Sequence, residues 1–130
     1  MKRSELEQLI VEQYGAAADH PFEGDTDSAV FRHPGKKKWF ALIMRVRRRS
    51  LGLPGEGEVC CVNFKCPPIM IGSLLSERGF LPAYHMNKQH WITALLEDCG
   101  LGEMAAEDPN VCAALDVSFG LTASKKRKGN

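Results

Sequence analysis

Apolar positions recur along this chain in two rhythms, and the switches between them mark out its elements. Leu6, Leu9, Ile10 and Tyr14 fall at helical spacing, with Ser4 placed to cap the start, Glu5 and Glu7 in the first turn and Gly15 at the end. Residues 16–27 are rich in small and acidic side chains and read as a loop. A short strand is predicted at Ala29–Arg32, after which Pro34-Gly35 turns the chain back. Residues 39–46 are apolar on both alternating sets: Trp39, Ala41 and Ile43 on one, Phe40, Leu42, Met44 and Val46 on the other. That predicts a central strand with little exposed surface near its start. The polar, glycine-rich residues 47–57 predict a mobile hairpin tip. The next strand, Glu58–Lys65, sets Cys60, Val62 and Phe64 together and leaves Val59, Cys61, Asn63 and Lys65 on a more polar face.

Pro67-Pro68 suits the opening of a helix, whose first amides need no partner inside it. Ile71, Leu74 and Leu75 line its buried side, and Gly79 is its expected C-terminal glycine. A strand at 91–96 follows, then a loop through Cys99-Gly100. Asp108-Pro109 opens a last helix, over about 109–122, with Val111, Cys112, Leu115 and Phe119 at helical spacing. The order is α-β-β-β-α-β-(β)-α. Short hairpins between consecutive strands give a mainly antiparallel sheet, and helices packed on one face make a two-layer α+β domain. Residues 1–124 are expected to form that single domain, and 125–130 a basic, disordered tail.

Composition adds exclusions. No apolar run approaches the ~20 residues that span a bilayer, and Glu5, Glu7 and Glu12 stand where a secretory apolar segment would be, so a cytoplasmic protein is expected. The five cysteines include no C-x-x-C pair, and Cys60 and Cys61 would point to opposite faces of their strand, so buried reduced thiols are the plain reading. The net charge of +1 hides an asymmetry. Between residues 28 and 55 stand Arg32, Lys36, Lys37, Lys38, Arg45, Arg47, Arg48 and Arg49 with no acidic residue, whereas 89–124 carries only acidic charge. A basic hairpin of this kind attracts polyanions locally.

Two groups are candidates for chemistry. Lysines and arginines placed on phosphates release counterions, so Lys36, Lys37, Lys38, Arg45, Arg47, Arg48 and Arg49, with Lys65 and Lys88, form a candidate nucleic-acid surface. The alternative is a solvated edge kept charged against strand-to-strand association. Trp39 is the aromatic beside this cluster and also reads as core, which leaves a base-stacking platform with little support. The second group is the turn holding His85, Asn87, Lys88 and His90 before Trp91. An imidazole, an amide and an ammonium together suit a phosphate, carboxylate or nucleotide. Equally, His85 and Asn87 hydrogen-bond the turn's own backbone while His90 and Trp91 anchor the strand. Nothing in the spacing brings His85 or His90 to Cys61, Cys66 or Ser118 as a nucleophile and base, and no third metal ligand presents itself. No enzymatic activity, cofactor or metal is expected.

Four segments in order carry a resemblance: Gly35-Lys36 with Trp39-Phe40-Ala41; Val62-Asn63-Phe64-Lys65-Cys66-Pro67; Pro82-Ala83-Tyr84-His85-Met86-Asn87-Lys88-Gln89-His90-Trp91-Ile92-Thr93; and Asp116-Val117-Ser118-Phe119. With these the chain resembles the MmcQ/YjbR family from first helix to last. The resemblance implies an architecture like secretion chaperones and the frataxin-like fold, and a DNA-binding role through a double-wing arrangement, an inference of function from shape. The basic insert at 45–58 and Cys99-Gly100-Leu101-Gly102 depart from the family pattern. The expected function is a small binding protein acting on duplex DNA through its basic hairpin. The competing expectation is a protein- or peptide-binding adaptor with an open sheet edge or an exposed apolar patch.

Overall fold

The computed structural model describes residues 1–123, and the expected basic tail lies outside them. Three helices, α1 (Arg3–Tyr14), α2 (Pro68–Leu74) and α3 (Asp108–Thr122), accompany six strands: β1 (Ala18–Asp19), β2 (Ala29–Arg32), β3 (Trp39–Arg47), β4 (Glu58–Lys65), β5 (Phe80–Pro82) and β6 (Trp91–Leu95). The strands form one sheet in the order β1-β2-β3-β4-β6-β5, with every neighbouring pair antiparallel. The two-layer α+β reading is the observed architecture. Both strands after α2 are present, and β1 occupies part of the segment expected as a loop.

The helices cover one face. Leu6 and Ile10 of α1, Ile71 and Leu74 of α2, and Val111 and Leu115 of α3 pack on Phe31, Ile43, Val62, Phe64 and Ile92. Burying a side chain of this size contributes roughly 1.5–3 kcal/mol. The opposite face is also apolar in part: Val30, Leu42, Met44, Val46, Val59, Cys61 and Leu95 form a second cluster. Leu51, Leu53, Leu101 and Ala105 close over it from two loops. Residues 47–57 are therefore no free tip. A 3₁₀ turn at Arg48–Leu51 folds back, and Leu51 and Leu53 seal the sheet beneath it.

Several local expectations change for physical reasons. Helix α1 begins at Arg3, ahead of Ser4, because its first amides find carboxylates: Arg3 N donates to Asp98 (2.6 Å) and Lys2 N to Glu5 (2.7 Å). The N-cap of α3 is Glu107, with Asp108 already in the first turn. Leu75 is exposed, beyond the end of α2. Gly79 does not cap α2. It turns at φ +82° where the chain crosses Ala106, and a Cβ there would stand 2.1 Å from the Ala106 nitrogen.

One irregularity matters most. Phe31 pairs with Ala41 but Arg32 pairs with Trp39, so Phe40 is an extra residue in β3, a β-bulge. Phe40 and Ala41 both face the helices, and Trp39 moves to the other face beside Leu42 and Met44. Strict alternation would have put Trp39 with Ala41 and Ile43. Where the β3–β4 register ends at Ala41 and Phe64, Ser118 of α3 bridges the two strands: its hydroxyl donates to Phe40 O (2.6 Å) and accepts from Lys65 N (2.9 Å).

Candidate nucleic-acid interface

The ends of three central strands meet at one end of the sheet. Trp39 opens β3, Lys65 closes β4, and Trp91, the Cα partner of Lys65, opens β6. The turn before β3 adds Lys37 and Lys38. Together with Met86 and Thr122 of α3, these five side chains line a shallow depression of ≈ 350 Å³, with no carboxylate among them. Lys36, Lys37, Lys38, Lys65 and Lys88 make no ion pair among the described residues. Three lysines lining one depression with no carboxylate beside them give this end of the sheet a positive field that attracts an anion.

The backbone beneath the lysines and the ring of Trp39 are held in place. The Lys65 amide is fixed by Ser118, and the turn before β3 is closed by His33 N donating to Lys38 O (3.2 Å) and Lys36 N to His33 O (2.9 Å). Arg32 reaches over the Trp39 ring, 5.8 Å from its centroid, while bonded to Asp19 (2.9 Å) and to Lys37 O (3.1 Å). Phe22 meets Trp39 at 84° and 5.8 Å between ring centroids, an edge-to-face packing. Buried His33 stacks on Phe119 and bonds Thr122 (2.8 Å), tying the lysine turn to the end of α3.

The turn between β5 and β6 divides into a structural part and an exposed part. Buried Asn63 and Thr93 clamp Tyr84: Asn63 donates to Tyr84 O (2.9 Å), Tyr84 N donates to Thr93 Oγ1 (2.9 Å), and Thr93 donates to Asn63 Oδ1 (2.5 Å). The polar face of β4 is thus committed within the fold. Asn87 accepts from Gln89 N (2.8 Å) and His90 N donates to Asn87 O (3.1 Å), while His90 O accepts from Cys66 N (2.8 Å). Asn87 and His90 serve the backbone, Lys88 is exposed, and His85 stands in a left-handed conformation (φ 58°) stacked flat on Tyr84. Of this turn and the strand it feeds, Met86 and Trp91 reach the lysine depression. His85 instead lines a larger cleft of ≈ 650 Å³ floored by Leu42 and Met44, which shares Trp39 and Met86 with the depression.

The arginines are placed differently. Strand β3 has nine residues, which puts Arg47 roughly 26 Å from Trp39. Arg45 lies against Cys99 Sγ (3.3 Å), Asp27 (3.9 Å) and Glu58 (4.0 Å). Arg48 donates to Cys99 O (3.0 Å) and Pro54 O (3.4 Å), holding the folded-back loop shut. Arg47 and Arg49 share their pocket with Glu56 and Glu58. The cations singled out in the sequence therefore fall into two groups, lysines with no carboxylate in their shared lining and arginines. Of the arginines, Arg45 and Arg48 are engaged by carboxylates and carbonyls, while Arg47 and Arg49 lie beside Glu56 and Glu58 without an ion pair among the described residues.

Nucleophilic chemistry has no footing at these places. Burial pushes the Cys61 thiol up to about 12 and Cys66 up to about 11, far from thiolate formation near neutrality. Ser118 has its hydroxyl engaged on both sides. Among the described residues, no group of three or more His, Cys, Asp or Glu side chains is arranged to hold a metal ion.

A model of the YjbR family matches residues 11–120. The Bacillus subtilis protein YyaQ is 41% identical over 97 residues, which cover 75% of this chain and 82% of that one. A crystal structure of a Pseudomonas syringae protein is 36% identical, with a TM-score of 0.85 over 95% of this chain and 100% of that chain. A solution NMR structure from Pseudomonas syringae is 34% identical, with a TM-score of 0.82 over 98% of each. A Deinococcus radiodurans protein shares the fold at 19% identity, with a TM-score of 0.65 over 98% of this chain and 82% of the other.

Proposed function

This chain belongs to the YjbR family, and from that starting point we propose that it is a non-enzymatic protein that binds nucleic acid through the lysine end of its sheet. The observation that carries the reading is the convergence of Lys37, Lys38 and Lys65 around Trp39 and Trp91 with no carboxylate in the lining. Lys36 and Lys88, both exposed, extend the positive field on the two flanking turns. Arg45 and Arg48 are withdrawn from the footprint by their local partners, and Arg47 and Arg49 act at most at the far end of a long ligand.

Three to four phosphate contacts give a salt slope of about −2 to −3, so affinity falls roughly 20-fold or more between 50 and 200 mM salt. The test is fluorescence anisotropy of a labelled oligonucleotide across that range. Lys37→Gln/Lys38→Gln/Lys65→Gln is expected to flatten the slope by about 2, whereas Arg47→Ser/Arg49→Ser leaves most of it. A triple variant that keeps the wild-type slope contradicts the assignment. The adaptor reading has less behind it. The sheet ends in a two-residue strand at one edge and a three-residue strand ending in Pro82 at the other, poor templates for an added strand.

A further inference from the structure

The depression contains both tryptophans of the chain. Neither indole is sunk in the core, since each is only partly buried. Trp39 is held in orientation by Arg32 and Phe22, and Trp91 stands beside Lys65 across the strand pair. The bulge at Phe40 is what delivers Trp39 to this face, and its carbonyl is secured by a hydroxyl on α3. A surface that merely docked on phosphates would need the lysines alone. Flat aromatic surface among cations has a use that a duplex does not exploit: in a duplex the base faces are stacked on one another and only their edges reach a groove. Unpaired bases expose their faces, and stacking on an aromatic side chain strengthens binding irrespective of base identity. At ≈ 350 Å³ the depression accepts a splayed base and leaves the lysines at its rim for the adjoining phosphates.

We infer that this end of the sheet binds single-stranded nucleic acid, with unpaired bases against Trp39 and Trp91 and the flanking phosphates on Lys37, Lys38 and Lys65. The inference rests on the nucleic-acid reading above and specifies the strand state of the ligand. It departs from the duplex DNA expected from the sequence.

Because the site holds the chain's two tryptophans, intrinsic emission reports on it without a label. The experiment titrates the protein at low salt with three ligands: an oligothymidylate of about 12 nucleotides, an abasic sugar-phosphate strand of equal length, and a duplex of about 12 base pairs. The expected result is quenching by oligothymidylate, with binding at least about tenfold tighter than to the abasic strand or the duplex. Trp91→Leu, at a position less committed to packing than Trp39, is expected to bring the affinity for oligothymidylate down to that for the abasic strand; a variant that keeps the tenfold advantage overturns the role of Trp91. Equal affinity for all three ligands with unchanged emission overturns base stacking and leaves the phosphate reading in place. No binding of any of the three overturns both.

Discussion

At the scale of single residues, the structure assigns roles that residue type alone does not reveal. Gly79 carries a positive φ and faces the Ala106 backbone, so Gly79→Ala combines backbone strain with a main-chain collision. It is expected to cost at least about 3 kcal/mol in a urea unfolding experiment. Asn63 reads as part of the more polar face of β4, and in the fold it is fully buried and clamps the Tyr84 peptide with Thr93. Asn63→Leu leaves the Tyr84 carbonyl without its donor and is expected to destabilise by about 1–3 kcal/mol. Ser118 serves a buried carbonyl and a partly buried amide at once, and Ser118→Ala is expected to cost a similar amount in the same unfolding experiment. Unchanged stability in either variant would show that the clamp or the bridge is dispensable.

At the scale of elements, the lysine turn and α3 are coupled through His33. Burial, reinforced by the charges of Lys36 and Lys38, holds its imidazole below the ordinary 6.5, against a Phe119 carbonyl that pulls the other way. The unfolded chain therefore takes up a proton first as pH falls. Stability is full above about 6.5 and declines below it until the folded-state value is passed. His33→Gln is expected to lack this part of the decline, read as the difference in melting temperature between pH 7.5 and 5.5; parallel profiles would contradict the coupling. Most elements were legible in the sequence: β2 and β4 stand at the expected residues, and β3 and β6 differ by one residue each, whereas the two-residue β1 falls in a stretch that reads as loop. What was not legible is which face Trp39 takes, because one extra residue at Phe40 inverts the alternation behind it. Nor was the meeting of Lys65 with Trp91 legible. It requires β6 to pair with β4 while β5 goes to the edge, a long-range choice that local pattern does not encode.

At the scale of the whole molecule, a near-neutral chain acquires a directed charge distribution through its topology. In the arginine-rich stretch, the most conspicuous basic feature of the sequence, Arg45 and Arg48 are engaged after folding by Asp27, Glu58 and the carbonyls of Cys99 and Pro54, some of them distant in the chain. The lysines, less conspicuous, gather where no carboxylate follows them. Placement of the ligand at the lysine end, over the face that the helices leave open, is the central claim. The direct measurement is a ¹⁵N–¹H NMR titration with a single-stranded oligonucleotide, following the two tryptophan indole signals and the backbone amides. The account expects both indole signals and the amides of Lys37, Lys38 and Lys65 to shift together and saturably, with those of Arg48 and Arg49 nearly still. Shifts centred on 47–57 with unmoved indoles would contradict it.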